Sequence, residues 1–555
     1  MEERRLLLAV ALSLLVLTAY SLLFAPSPPP PSPAGPLVPS PAPKAAPPGV
    51  TEPTTRPAPA PVAAPLPAVA DERERRVEVV APEYAVAFTN RGARLVSWTL
   101  AHHLDAGGRP EEMVSAHSAA VRALDIETGD AAVDGLLREA LFRPSAEALS
   151  VREAEPATLR FTFADGRVEA EKTITFPARG LVGVTASVKR DGQPLPRRLV
   201  WGPGVGNATA EERDVRGYQE PFGVALVPRG VQQFPTAKLP PGGQPLDGVR
   251  WIGVESQYFA ALFVAPEGAA SAAIRPVTLP ALADEKPIVA AVAVVDAGGP
   301  GPVLLFVGAK DYQSMAKLGH ELQRVVPVGD WIGPIVVALM GLLRWVQSHV
   351  GNWGWSIVVL TVLINLAMAP FRHYSIVNGL KMAKLSPEMK VIQERYRKVP
   401  LMDPKRQQMQ EEIGALYAKH GMSMGSQMMV GCLPMLLIMP FLFAFYRVLS
   451  VSVELRGAPF LWIPDLAQKD PLFLTPVLMG VSMFVMQKMT PSTMDPAQQR
   501  IMMLMPLMLA GMFLWAPAGL NLYWLTSNLW SIFQQAVSMK FLHPGLAPAR
   551  EKRAK

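Results

Sequence analysis

The side chains that could do chemistry in an unusual setting are amides and hydroxyls inside apolar stretches. Asn521, Trp524, Asn528, Ser531 and Gln535 step by 3, 4, 3 and 4, which sets them along one side of a single helix. Thr361 and Asn365 are four apart and share a face of another. In hydrocarbon an unpaired polar group is costly. Two readings account for the stripe: hydrogen bonds between packed helices, or the wall of a wet cavity. No Asp, Glu, Lys, Arg or His lies mid-way along these stretches, which argues against a proton- or ion-coupled transporter. Elsewhere no HExxH, GxSxG or glycine-rich phosphate loop occurs. His102, His103 and His117 read as surface histidines of a structural domain rather than a metal or hydrolase site. The single cysteine, Cys432, excludes an internal disulfide framework and a Cys-based zinc site. No catalytic residue, cofactor or metal is expected, and the chain does not read as an enzyme.

The elements that hold these residues are strongly segregated. Over 555 residues the charged share is 18% and mean hydropathy is +0.21, against about 25% charged in an average soluble domain. Residues 6–24 carry no charge and are long enough to cross a bilayer core of about 30 Å. Residues 1–25 are therefore read as an uncleaved anchor; the competing reading, a cleaved signal peptide, has a shorter apolar region and a small-x-small site. From residue 26 to 70, 18 of 45 positions are proline, which excludes helix and sheet and predicts a semi-rigid polyproline-II tether. Residues 71–328 alternate in short runs bounded by Gly, Pro, Asp and Asn: 78–80, 84–89, 95–100, 158–163, 172–176, 181–188, 288–295 and 302–307. Period-2 alternation with turn punctuation predicts one large all-β sandwich. Within it 113–139 and 311–325 read as its helical parts.

Five further apolar segments are assigned as spans: 351–370, 428–448, 472–487, 501–517 and 518–538. The third and fourth are short for a bilayer. Residues 329–350, with Trp331 and Trp345, read as an amphipathic helix lying on the outer surface. Positive charge sets the orientation. Residues 371–427 hold ten Lys and Arg, Lys488 and Arg500 flank the 488–500 loop, and the 539–555 tail is basic. The 449–471 loop holds only Arg456 and Lys469 beside Glu454, Asp465 and Asp470. This predicts six spans, both termini cytoplasmic and residues 26–350 outside. In the cytoplasmic segment Met382, Leu385, Met389 and Ile392 face a matching stripe of Met409, Ile413, Leu416 and Tyr417, the pattern of a helical hairpin. Of 26 methionines, 21 lie from residue 371 onward. Such side chains fill gaps between helices, or make an adaptable apolar surface; Met428, Met435, Met439, Met483 and Met505 are the candidates for the latter.

Several stretches then resemble one family. They are GCLPMLLIMP (431–440), VELRGAPF (453–460), WIPD (462–465), QKMTP (487–491), DPAQQ (495–499), FLWAP (513–517) and GLNLYWLTSN (519–528), with NWGW (352–355), GAKD (308–311) and residues 251–259 upstream. In this order they look like the YidC membrane protein insertases. The resemblance implies a Gram-negative inner-membrane insertase and chaperone. It also implies a periplasmic β-supersandwich and five core helices around a hydrophilic groove, open to cytoplasm and lipid and closed to the periplasm. It places Thr361, Asn365, Asn521, Tyr523, Trp524 and Asn528 in that groove. Implied partners are nascent membrane proteins, the ribosome, the Sec translocon and anionic phospholipids, with Lys540, Arg550, Lys552, Arg553 and Lys555 as contacts for ribosomal RNA or lipid; no DNA and no small-molecule substrate is expected. Members usually carry arginine five residues before the proline that ends the second span. Asn365 stands there instead, so the groove lacks the charge thought to attract acidic substrate segments. Ile438 replaces a frequent Gln, and Trp524 a frequent Tyr. The rival class is a channel or transporter with an external ligand-binding domain, and for the outer domain alone a carbohydrate-active enzyme.

Overall fold

The computed structural model describes residues 68–105, 107–115, 121–153, 155–207, 220–265, 271–279, 288–299, 301–329, 331–396, 399, 403–420, 439–490 and 496–542. The expected anchor and nearly all of the tether lie outside these residues, as do Met428, Met435, Cys432 and the tail cations Arg550, Lys552, Arg553 and Lys555.

Three sheets build the outer domain. A ten-stranded sheet is flanked by two five-stranded ones. In the large sheet, strands 182–190, 168–176 and 157–164 form an antiparallel meander. Strands 222–227, 251–255, 259–264 and 303–309 continue it on the other side. Aromatic rings fill the space between sheets, with Tyr84 on Trp98 at 5.1 Å and Trp98 edge-on to Trp201 at 6.4 Å. Alternation exposed the half-buried strands: Val168–Phe176, for instance, alternates buried and partly buried throughout. It did not expose Phe222–Val227, Trp251–Glu255 and Phe259–Val264, in which every residue is buried. These strands face apolar neighbours on both sides and so read as continuous apolar runs. One face (Ala225, Ile252, Val254, Ala261, Phe263) belongs to the sandwich core. The other (Val224, Leu226, Trp251, Ala260, Leu262) shares a core with the helices that follow.

The helical expectation for 113–139 is corrected. Among its described residues only α1 (Ala131–Glu139) is helical, capped by Asp130, and Ile126–Glu127 is a strand. The residues before it serve sheet pairing with Arg198–Leu199, a tertiary demand that overrides local propensity. Further on, α2 (Tyr312–Leu318) is capped by Asp311, and Leu322–Val325 is a 3₁₀ turn. The helix α3 (Gly333–Val350) buries Val336, Leu339, Met340, Leu343 and Val346 and ends at Gly351 with φ +75°, a left-handed position that suits glycine.

Next come α4 (Trp353–Ala367) and α5 (Ala369–Arg395), which meet at 61°. Pro370 ends the first helix and sits in the first turn of the second, where its missing N–H is tolerated. The helix α5 thus begins at Ala369, well ahead of the apolar stripe that starts at Met382. The α5 stripe meets α6 (Lys405–Lys419) through Leu385, Met389, Ile392, Met409, Ile413, Leu416 and Tyr417. Three apolar helices and a polar-striped one complete the bundle: α7 (Met439–Val451), α8 (Leu474–Met489), α9 (Pro496–Met512) and α10 (Ala518–Val537). Among the described residues no single helix is long and apolar enough to cross a membrane. The pair formed by α4 and the start of α5 passes that test only together.

A buried ion pair anchors the large sheet. Lys310 Nζ lies 2.8 Å from Glu255 Oε2, with side-chain exposures of 6% and 1%. Burial pushes the Glu255 carboxyl up against the pull of Lys310. Removing one partner strands the other charge, which typically costs about 3–5 kcal/mol. Lys310→Met should therefore destabilise the full-length protein by about that much in denaturant or thermal unfolding. The double variant Lys310→Met/Glu255→Gln should recover part of the loss; an undisturbed melting profile in the single variant would count against the pair.

Candidate substrate groove and its outer junction

The polar residues of α10 divide between two partners. Toward α8, Asn528 Nδ2 donates to Ser482 Oγ at 3.0 Å and Gln535 Nε2 to the Met489 carbonyl at 2.8 Å. Asn521, fully buried, donates to the Phe513 carbonyl at 3.2 Å, and its Oδ1 has no partner. Toward α4 and α5, Ser527 Oγ donates to Asn365 Oδ1 at 3.5 Å and Gln534 Nε2 to the Ala369 carbonyl at 2.7 Å. Ser531 accepts from Arg372. Asn365 Nδ2 is also engaged, on the Thr361 carbonyl at 2.8 Å, and Thr361 Oγ1 bonds the Ile357 carbonyl at 2.6 Å. Thus Thr361, Asn365, Asn521 and Asn528 are all buried and bonded within the bundle. Tyr523 stacks on Phe445 at 4.3 Å, and Trp524 meets Phe513 edge-on at 4.9 Å.

Small residues set the approach of the helices. A Cβ on Gly480 of α8 would stand 2.7 Å from the Ala510 Cβ of α9, so only glycine permits that crossing. At the outer end of α4, a Cβ on Gly354 would lie 2.1 Å from the Phe460 ring. The candidate methionines separate: Met483 is buried, Met439 is half-buried and Met505 is 45% exposed. Burial withdraws Met483 from any sliding surface in this conformation. On α9, Leu504, Leu507 and Met508 extend an exposed apolar face beside Met505. Lys540 is exposed at the end of α10.

Sequence reasoning missed the junction between the outer domain and the bundle. Arg344 of α3 bonds Asp311 at 2.6 Å and Glu454 of the 449–471 loop at 2.8 Å. Arg456 of the same loop lies 2.6 Å from Glu111 and 3.2 Å from the Leu104 carbonyl, with its guanidinium 5.2 Å from the centre of the Phe259 ring. Arg447, near the outer end of α7, bonds the Pro327 carbonyl. Asp470, fully buried, accepts from Trp462, Leu472 and both donors of Thr475, and so holds the loop to the start of α8. A cavity of about 830 Å³ remains beside Arg456, lined by His102, His103, Trp353 and Glu454 among others. The Arg456–Glu111 contact spans 345 positions; no local spacing signals such a pair. The one available hint was the motif residues themselves, since Asp311, Glu454 and Arg456 all fall within the stretches quoted above.

A three-sheet β domain seated on a bundle of short apolar helices is the class of fold these residues build. Residues 76–340 match the YidC periplasmic domain family, and residues 345–544 match the 60Kd inner membrane protein family. A Geobacter metallireducens protein named membrane protein insertase YidC is 32% identical over 99% of this chain and 100% of its own length. A Syntrophus aciditrophicus protein of the same name is 30% identical over 96% of this chain and 98% of its own. A solved structure described as an active YidC insertase with its first transmembrane domain resolved aligns over 85% of this chain and 94% of its own, at 16% identity and a TM-score of 0.34. The chain belongs to the YidC family of membrane protein insertases, with a periplasmic β domain and a helical inner-membrane core.

The junction has a pH signature. Burial pushes the Asp311 carboxyl up, but the hydrogen bond and charge of Arg344, with Ser314 and the Gln313 amide, hold it below the usual carboxylate range. A depressed folded pKa contributes its full stability above the unfolded value of about 3.9 and loses it as pH falls through the folded one. Amide exchange in α2 and α3, expressed relative to the intrinsic rate at each pH, should therefore stay constant down to about pH 5 and quicken below about pH 4. Asp311→Asn should quicken it already at neutral pH; equal protection in variant and parent would exclude this pair as a latch.

Proposed function

We propose that this chain inserts and folds integral proteins of the inner membrane, as an insertase and chaperone without covalent catalysis, alone or with the Sec translocon. The observation that carries this reading is similarity to named insertases over nearly the whole chain. The proposed topology has six spans, both termini cytoplasmic and residues 26–350 periplasmic. In it α5 and α6 form the cytoplasmic hairpin, and α4, α7, α8, α9 and α10 the core.

A nascent apolar segment first meets the hairpin and the basic tail, whose Lys540, Arg550, Lys552, Arg553 and Lys555 suit ribosomal RNA or anionic lipid. Its polar flank then passes along the α4–α10 seam. There the hydroxyl and amide of Thr361 and Asn365 replace part of its lost hydration, joined by Asn521, Tyr523, Trp524 and Asn528 only as these leave their present partners on Phe513, Phe445 and α8. The bonds now made within the bundle must open or exchange for this to happen. Ser527 to Asn365, at 3.5 Å, is the longest of them and the first to yield. The apolar segment leaves against the flexible side chains of Met428, Met435, Met439 and Met505. Short helices favour local thinning of the bilayer, and burial in lipid drives the net reaction, so the mechanism requires no nucleotide.

Site-specific photo-crosslinking tests the route. Probes at Asn365, Asn521 and Met435 should capture a stalled single-span membrane protein, and probes on the exposed face at Leu507 and Met508 should capture less of it. Capture by the exposed-face probes alone would sink the seam as the substrate path. Solute-selective conductance of the protein in liposomes would favour the channel reading instead.

A further inference from the structure

Arg372 lies in the first turn of α5, just past the 61° bend. It is half-buried, and its guanidinium donates to the Ser531 hydroxyl of α10. Among the described residues no carboxylate pairs with it. The arginines of the outer junction differ: Arg344 and Arg456 are each held by carboxylates. A guanidinium has five N–H donors in a planar fork. Removing it from water with one hydroxyl as acceptor forfeits hydration that the protein does not return.

The bend is what brings this cation inward. Gln534 bonds the Ala369 carbonyl at 2.7 Å and His373 Nδ1 lies 3.1 Å from Ser538 Oγ, so the first turn of α5 is stapled along α10. Arg372 therefore lies between helices, on the side of the seam that carries Ser527, Ser531 and Asn365. An arginine serving only lipid phosphates at the end of a span would extend outward to the headgroups. Asn365 carries no charge, and its amide already bonds the Thr361 carbonyl at 2.8 Å and meets Ser527 at 3.5 Å.

We propose that Arg372 receives acidic side chains of the segment being translocated. A carboxylate docks bidentately on the fork, exchanging with the Ser531 hydroxyl, and then passes Asn365 along the seam. The proposal rests on the insertase reading and assigns that reaction a residue that selects substrates by charge.

The test reconstitutes the full-length protein in vesicles of phosphatidylcholine, with and without added phosphatidylglycerol. It compares insertion of one small single-span protein whose translocated flank carries either Asp and Glu or the matching Asn and Gln. In Arg372→Gln the ratio of acidic to neutral insertion should fall about tenfold, the scale of a lost charge-assisted hydrogen bond. Arg372→Lys should keep part of the preference, and Ser531→Ala should keep it while removing the interhelical bond. The drop should occur in both lipids. An unchanged ratio in Arg372→Gln overturns the proposal, as does an equal loss for both flanks, which would make Arg372 a structural staple. A drop confined to vesicles with phosphatidylglycerol overturns it in favour of a lipid phosphate. If the wild-type protein inserts neither flank in either lipid, the insertase reading itself fails and takes this proposal with it.

Discussion

Polar side chains in an apolar bundle must find partners, and the arrangement of the helices follows from how α10 disposes of its own. Asn528 and Gln535 draw in α8, while Ser527, Ser531 and Gln534 hold α4 and the first turn of α5. Because i and i+7 nearly coincide on a helix, each set lines one side and the two sides serve different neighbours. The result is a helix whose position is fixed by directional bonds rather than by apolar contact, which in lipid discriminates poorly between orientations. On the α4 side the longest of these bonds, Ser527 to Asn365 at 3.5 Å, is the weakest single link.

The outer domain depends on the same economy of polar groups. Its large sheet turns a second apolar face to α3 and the outer ends of the bundle, which supplies adhesion but little direction. Arg344 and Arg456 supply direction: each bridges from a different element to a buried or half-buried carboxylate. Buried ion pairs contribute little net stability against well-packed apolar replacements. What they contribute here is register, since a slid or rotated domain would leave charges unpaired. The 449–471 loop is thereby tied at once to the sheet through Glu111 and to α8 through Asp470.

Much of this was legible beforehand because it depends on period. The half-buried strands and the paired stripes of α5 and α6 are repeats of 2 or 3.6 residues, which burial on one face imposes directly; the α10 stripe was read by the same period, but Ser531, counted with Asn528 and Gln535, bonds on the α5 side while those two face α8. Strands buried on both faces lose that signal, so Phe222–Val227 and Phe259–Val264 escaped. The stretch 113–139 was misread because its partners lie in a distant strand. The break at Met368 was signalled by Pro370, but not the angle, which the bonds from Gln534 and Arg372 to neighbouring elements maintain.

The candidate site divides in the same way. The residue types and spacings by themselves determined that a polar stripe exists and that it sits in a membrane protein with a large β domain; only the family resemblance marked Asn365 as standing where a charge would be expected. Only the tertiary structure decided what each stripe residue faces, and that Arg372, counted from sequence merely as one of many cations beyond a span, turns inward onto Ser531. The reason is physical. Periodicity reports which side of its own helix a residue occupies. The neighbour on that side is chosen by the bend at Met368 and by bonds between residues more than 150 positions apart, and no local pattern carries that information.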